Sequence, residues 1–275
     1  MASSELEGRR IGFIGCGAMA RALAGGLREA GVPASHLLGA DPFAGARDLF
    51  AESTGGSVGD DNAAVVSGAD VVVLATKPGA VASVLADLDP GICEKPLWIS
   101  IAAGVPLAAL TGALPGGARV VRTMPNTPAL VGAGSTAYFP SASVRDDDIA
   151  VVEAVLTAAG YCWRSPNEDL LDAVTGLSGS GPAYVFLILE ALADAGVRQG
   201  LPRDAAQALA TRTVFGAAKL ALETGTHPGV LKDQVTSPGG TTIAGLERLE
   251  SAGVRAALYD AVDAATRRSR ELKDD

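Results

Sequence analysis

The sequence predicts an α/β chain in two parts: a parallel sheet wrapped by helices over residues 1–165, then an all-helical region over residues 166–275. Three observations carry this. From Ile11 to about Ser165, short β-branched runs alternate with Ala/Leu-rich stretches, the pattern of strands joined by crossover helices. After Pro166 the β-branched runs stop, and Ala/Leu stretches follow that begin at proline and end at glycine. Finally, 275 residues with a hydrophobic share of 48% supply enough apolar side chain for two cores, which must be aliphatic because aromatics make up only 4%.

Seven strands are expected, at 10–14, 36–40, 70–76, 96–102, 118–123, 134–139 and 161–165, each a short apolar or β-branched run. In the helical part, Pro182 opens a helix that Gly196 closes, and Pro202 opens another ending near Gly225. Pro228 begins a short helix, Thr241 or Thr242 starts the next up to Gly253, and a last one runs from about Val254 into the charged tail. The stretch AYVFLILEALADAG (183–196) is apolar on nearly every side, which predicts burial between helices. A small helical domain built around such a helix completes its core with a second copy, so residues 166–275 are expected to form a homodimer or a higher oligomer.

A net charge of −9 without any Lys/Arg run argues against nucleic acid and anionic membranes as partners. Arg267, Arg268 and Arg270 lie among acids and read as a solvated helix face. Cys16, Cys93 and Cys162 are scattered without a CxxC pair, which predicts neither a disulfide framework nor a metal site. The N-terminal MASSELEGRR lacks an apolar run, and no uncharged apolar stretch reaches about 18 residues; neither a signal peptide nor a membrane span is expected, and the cytoplasm is the expected location.

The chemistry begins at IGFIGCGAMA, where Gly15, Gly17 and Ala20 form G-x-G-x-x-A after the first strand and at the start of a helix ending near Gly31. The first glycine allows a tight turn, the second lets backbone approach a pyrophosphate, and the small third residue permits close helix packing. The helix N-terminus adds N–H donors. In this context the pattern predicts a Rossmann-type domain holding a nicotinamide dinucleotide on residues 15–20, Cys16, Ala18 and Met19 included. Three further strand ends, ATKP (75–78), SIAAG (100–104) and MPNTP (124–128), should rim the same crevice, which brings Lys77, Ala102, Ala103, Met124 and Asn126 to the cofactor.

Two glycine-rich stretches mark the helical part, DAVTGLSGSGPAY (172–184) and VTSPGGTTIAGLE (235–247). In the second, Ser237, Gly239 and Gly240 precede a helix beginning at Thr241 and Thr242, so backbone N–H groups and two hydroxyls converge on a small concavity suited to a carboxylate.

Taken with SIAAGV, VVRTMPNTPALVGAG and HPGVLKDQVTSPGGTTIAGLERLE, these stretches make the chain resemble pyrroline-5-carboxylate reductases over nearly its whole length. The resemblance implies hydride transfer from a nicotinamide cofactor to the C=N carbon of 1-pyrroline-5-carboxylate, giving L-proline. It implies that Ala75, Thr76, Lys77 and Pro78 touch the cofactor and that Asn62 meets its adenosine half. It also implies a substrate pocket of Glu168, Gln234, Thr241 and Thr242, flanked by Thr175 and Val235. Gln234 departs from an asparagine expected in some members, which keeps an amide and changes its reach.

His36 and His227 are the only histidines and neither stands where a catalytic acid is needed, so Thr242, placed to hydrogen-bond the ring nitrogen, is the expected catalytic residue. Two rivals are a β-hydroxyacid dehydrogenase and a non-enzymatic dinucleotide-binding regulator; the first relies on a lysine early in the helical part, and none occurs between Lys95 and Lys219. For the cofactor, NADPH or NADH, Asp41 ends the second strand 26 residues beyond Gly15. A carboxylate there accepts ribose hydroxyls and repels a 2′-phosphate, so NADH is expected to serve at least as well as NADPH unless Arg47, six residues on, reaches far enough to relieve the repulsion.

Overall fold

A computed structural model describes residues 4–272. The chain forms two compact units, one running to Gly179 and taking up the chain again from Ala265, the other spanning Ser180–Ala264.

The first unit contains eight strands: β1 (Ile11–Ile14), β2 (Leu37–Ala40), β3 (Ser57–Gly59), β4 (Val71–Leu74), β5 (Leu97–Ser100), β6 (Arg119–Met124), β7 (Gly134–Pro140) and β8 (Gly160–Arg164). Its helices are α1 (Ala18–Glu29), α2 (Ala44–Thr54), α3 (Asn62–Gly68), α4 (Val81–Ala86), α5 (Pro90–Cys93), α6 (Leu107–Ala113), α7 (Asp146–Thr157) and α8 (Leu170–Val174). The strands lie in the order β3-β2-β1-β4-β5-β6-β7-β8. Every residue of β1, β2, β4 and β5 is buried, because a parallel sheet is covered on both faces. Phe13, Leu23, Ile99 and Val152 pack on one face, Ile14, Val66, Trp98 and Leu110 on the other.

The seven expected strands are present, with two differences. Strand β3 went unseen because it is a three-residue edge strand of mixed exposure, too short to show periodicity. The sheet is also not wholly parallel: β6 and β7 pair antiparallel, and β8 follows β7 in parallel. The link from Met124 to Gly134 holds only a 3-10 turn, Thr127–Val131, and parallel strands need a longer crossover.

The second unit comprises α9 (Gly181–Arg198), α10 (Arg203–Thr224), α11 (Pro228–Gln234), α12 (Thr241–Ser251) and the first turns of α13 (Val254–Glu271). The proline and glycine punctuation holds, except that α9 runs past Gly196. That glycine is a packing position: a Cβ there would stand 3.2 Å from both Ala206 and Leu201 side chains.

The burial predicted for α9 is not found within one chain. Among its described residues the second unit buries only Ala193, Ala206 and Ala210, while Phe186 is 62% and Leu187 66% exposed. The helical stretch Leu170–Arg198 is moreover long and apolar enough to cross a membrane by length and composition. It carries Asp172, Glu190 and Asp194, so it is not an uncharged apolar run of the kind the sequence excludes; α8 continues through a π turn, Thr175–Gly179, into α9.

Candidate active site

In the first unit β1 lies between β2 and β4, and the carboxyl ends of these strands form the switch point at which open α/β sheets bind ligands in a crevice. Gly15 adopts φ +93°, the left-handed region, and its N–H donates to Ala40 O at 2.7 Å. A Cβ at Gly15 would meet Ala75 O at 2.7 Å, so the turn brings the end of β1 against the end of β4. At Gly17 a Cβ would meet nothing within 4 Å: the space above the turn is open. Gly17 also caps α1 without a side-chain hydrogen bond, leaving the first helical N–H groups bare. At the end of β4, the Thr76 hydroxyl is buried without a hydrogen-bond partner. A turn with empty space, bare N–H donors and an orphaned hydroxyl fits a dinucleotide pyrophosphate.

Around this crevice the expected residues fall as follows. Lys77 and Pro78 are exposed just beyond β4, and Ala102 (buried) and Ala103 (exposed) follow β5. Met124 ends β6 half-buried, and Asn62 opens α3. Asn126 is committed to the protein: its amide donates to Ser178 O at 3.1 Å and its carbonyl accepts Ser135 N–H at 2.8 Å. Burial raises the Cys16 thiol to about 12, with Asp41 adding to the effect, so this cysteine is a spacer in the turn rather than a nucleophile.

Asp41 is buried, and both its oxygens are engaged. Oδ2 accepts Cys16 N–H at 2.8 Å and Oδ1 accepts Phe43 N–H at 2.9 Å. The carboxylate therefore bridges the glycine turn to the β2–α2 link, a use the sequence reading did not foresee.

Glu168 also has partners. Its Oε1 accepts Leu107 N–H at 2.8 Å and an Arg122 guanidinium N–H at 2.6 Å. Arg122, inside β6 and 3% exposed, escaped the sequence reading; the signal was a cation in a run of buried strand residues, which demands a carboxylate elsewhere. Thr175 opens the π turn, its hydroxyl donating to Leu171 O at 2.8 Å.

In the second unit, Gly239 takes φ +66° and Gly240 is the N-cap of α12. A Cβ on Gly240 would come within 2.2 Å of Ser237 Oγ, so a larger residue there would have to turn the Ser237 hydroxyl aside. With no capping side chain, the leading N–H groups of α12 are bare. Neither the Thr241 nor the Thr242 hydroxyl has a partner among the described residues; Thr241 is exposed and Thr242 half-buried. Gln234, Val235 and Ser237 are exposed on the approach. His227 accepts Gly229 N–H through Nδ1 at 3.1 Å, a helix cap as its setting suggests.

A doubly wound sheet carrying this turn, in a chain whose helical unit has an uncapped Gly-Thr-Thr helix start, defines a dinucleotide-dependent oxidoreductase of small anionic substrates. Two family models match: "NADP oxidoreductase coenzyme F420-dependent" over residues 10–104 and "Pyrroline-5-carboxylate reductase dimerisation" over residues 168–272. Among relatives, the pyrroline-5-carboxylate reductase of Methanosarcina acetivorans is 47% identical, covering 97% of this chain and 99% of its own. The Escherichia coli enzyme is 41% identical over 96% of this chain and 98% of its own. The solved Coxiella burnetii reductase has a TM-score of 0.91 at 38% identity, covering 96% of this chain and 98% of that one. The Plasmodium falciparum enzyme, solved with NADP bound, scores 0.86 at 32% identity, covering 97% and 99%. The chain belongs to the pyrroline-5-carboxylate reductase family.

Proposed function

We propose that the chain reduces 1-pyrroline-5-carboxylate to L-proline, with the crevice of the first unit holding NADPH or NADH. The observation that carries the substrate side is the uncapped start of α12 at Gly240. Its bare N–H groups and positive helix end suit a carboxylate, and the free Thr242 hydroxyl one residue into the helix suits the ring nitrogen. When bound, the cofactor supplies a hydride to the C=N carbon, while a proton completes the amine at nitrogen. The protonated iminium is already electrophilic, so positioning and hydrogen bonding by this chain carry the rest.

The remaining assignments rest on the family resemblance, with the placements described as support. Residues 15–20 hold the pyrophosphate, Asn62 meets the adenosine half, and Thr76, Lys77, Pro78, Ala102, Ala103 and Met124 line the cofactor. Glu168 and Asn126 act by positioning, since their polar groups are held by the protein. Cytoplasmic residence accords with the kind of metabolism its relatives perform.

Turnover of the imine with either reduced cofactor tests the activity; turnover of 3-hydroxyisobutyrate or 6-phosphogluconate instead would support the β-hydroxyacid reading. The carboxylate assignment has its own check. L-proline should inhibit competitively against the imine and pyrrolidine, lacking the carboxylate, should not; equal inhibition by the two overturns the role of α12.

We further propose a homodimer formed through the helical region. A unit that buries three alanines cannot stand alone in water, and its open faces, Phe186 and Leu187 on α9 with Phe215 (65% exposed) and Leu222 (84%) on α10, need a partner. The match to a family dimerisation model over residues 168–272 supports a second copy as that partner and an interface as the destination of the apolar stretch Leu170–Arg198. Light scattering at micromolar concentration should return at least twice the chain mass, and a monomer would refute the dimer.

A further inference from the structure

The geometry points to Arg47 as the residue that selects the cofactor: its guanidinium receives the 2′-phosphate of NADPH, and Asp41 positions the glycine turn instead of reading the ribose. This rests on the dinucleotide reading of the crevice.

In a Rossmann domain, selection occurs just beyond β2, where an acidic side chain accepts the ribose hydroxyls or an arginine nearby takes a 2′-phosphate. Both groups are present here, and the structure gives them different work. The Asp41 carboxylate is buried and holds two backbone N–H groups, one in the glycine turn and one at the start of the β2–α2 link. The two N–H dipoles point at the carboxylate and offset part of its field at a nearby phosphate, while its oxygens are held on the protein rather than toward a ribose. Arg47 is anchored from the other side. One terminal nitrogen, Nη1, donates to Asp41 O at 2.8 Å and to Pro42 O at 3.1 Å. A guanidinium has five N–H donors in a fixed fork, so Nε and Nη2 remain available, and neither has an acceptor among the described residues. The anchor thus fixes the fork at the end of β2 without consuming it. Arg47 also acts on the Cys16 thiol electrostatically, as does Arg21 in the first turns of α1, so two cations lie within reach of the turn. Phe43, between Asp41 and Arg47, is 74% exposed, an aromatic ring the fold has not covered.

The test uses cofactor fragments and reads binding directly. Calorimetric titration of the full chain with adenosine 2′,5′-bisphosphate and with adenosine 5′-monophosphate should show at least a tenfold preference for the bisphosphate. Arg47→Ala should abolish that preference and leave the monophosphate within about twofold, and Arg47→Lys should keep part of it. Asp41→Asn, whose amide cannot accept at both oxygen positions, should weaken both fragments alike, with their ratio unchanged. A wild-type chain binding the fragments equally, or an Arg47→Ala chain that keeps the preference, overturns the assignment of Arg47. An Asp41→Asn chain whose ratio moves tenfold toward the bisphosphate shows that Asp41 does read the ribose. A folded wild-type chain binding neither fragment overturns the dinucleotide reading itself.

Discussion

Gly17→Val abolishes binding of NADPH and NADH while leaving the protein folded. The backbone at Gly17, φ −67° and ψ −177°, is extended and open to any residue. No atom lies within 4 Å of where a Cβ would stand, so the fold itself pays almost nothing. The valine side chain instead fills the volume through which a pyrophosphate approaches backbone. Gly15 is the contrasting control. Its φ of +93° and the 2.7 Å approach to Ala75 O mean that Gly15→Val strains the turn and loses stability as well as binding. Fluorescence titration with each reduced cofactor, beside circular dichroism, separates the two outcomes. Near-native affinity in a folded Gly17→Val chain would show that residues 15–20 are only a packing turn.

Thr242→Ala should lower kcat/KM for the imine by roughly 100- to 1000-fold, the loss of about 2.7–4 kcal/mol seen when one well-placed donor is removed. The position is suited to this test because the hydroxyl has no partner among the described residues, and alanine is well tolerated in a helix. Stability should therefore hardly change, and Thr242→Ser should retain most of the rate. A kcat/KM within twofold of wild type for Thr242→Ala would remove the hydroxyl from the mechanism.

Much of the first unit was legible because its strands are uninterrupted apolar runs such as Val71–Leu74, and because the glycine turn follows one of them directly. The proline and glycine signals of the helical part were equally direct at Pro228 and Gly225. The failures share a cause: they concern relations between distant residues. Nothing local in Val-Val-Arg-Thr says that Arg122 meets Glu168, and nothing in Gly-Ala-Asp-Pro says that Asp41 bonds to Cys16 N–H. The direction of β7 and the exposure of α9 are likewise properties of the assembled fold. For the candidate site, sequence fixed which residues cluster at strand ends and helix starts. Hydrogen bonding then separated those with free groups, Thr76, Thr241 and Thr242, from those whose groups are taken, Asp41, Asn126 and Glu168.

The three buried alanines of the second unit bear on how this protein comes to exist at all. Helices α9 and α10 gain too little from one another to offset the entropy of ordering some forty residues, since alanine contributes a single methyl to each contact. On the homodimer proposed above, their native form is a product of encounter: the first unit, with its own sheet and two apolar layers, would condense on a single chain, whereas the second would become ordered as two chains meet. Maturation would then be a second-order process, set by how many copies a cell holds, and a newly made chain in isolation would carry a finished nucleotide fold tethered to an unfinished half-core.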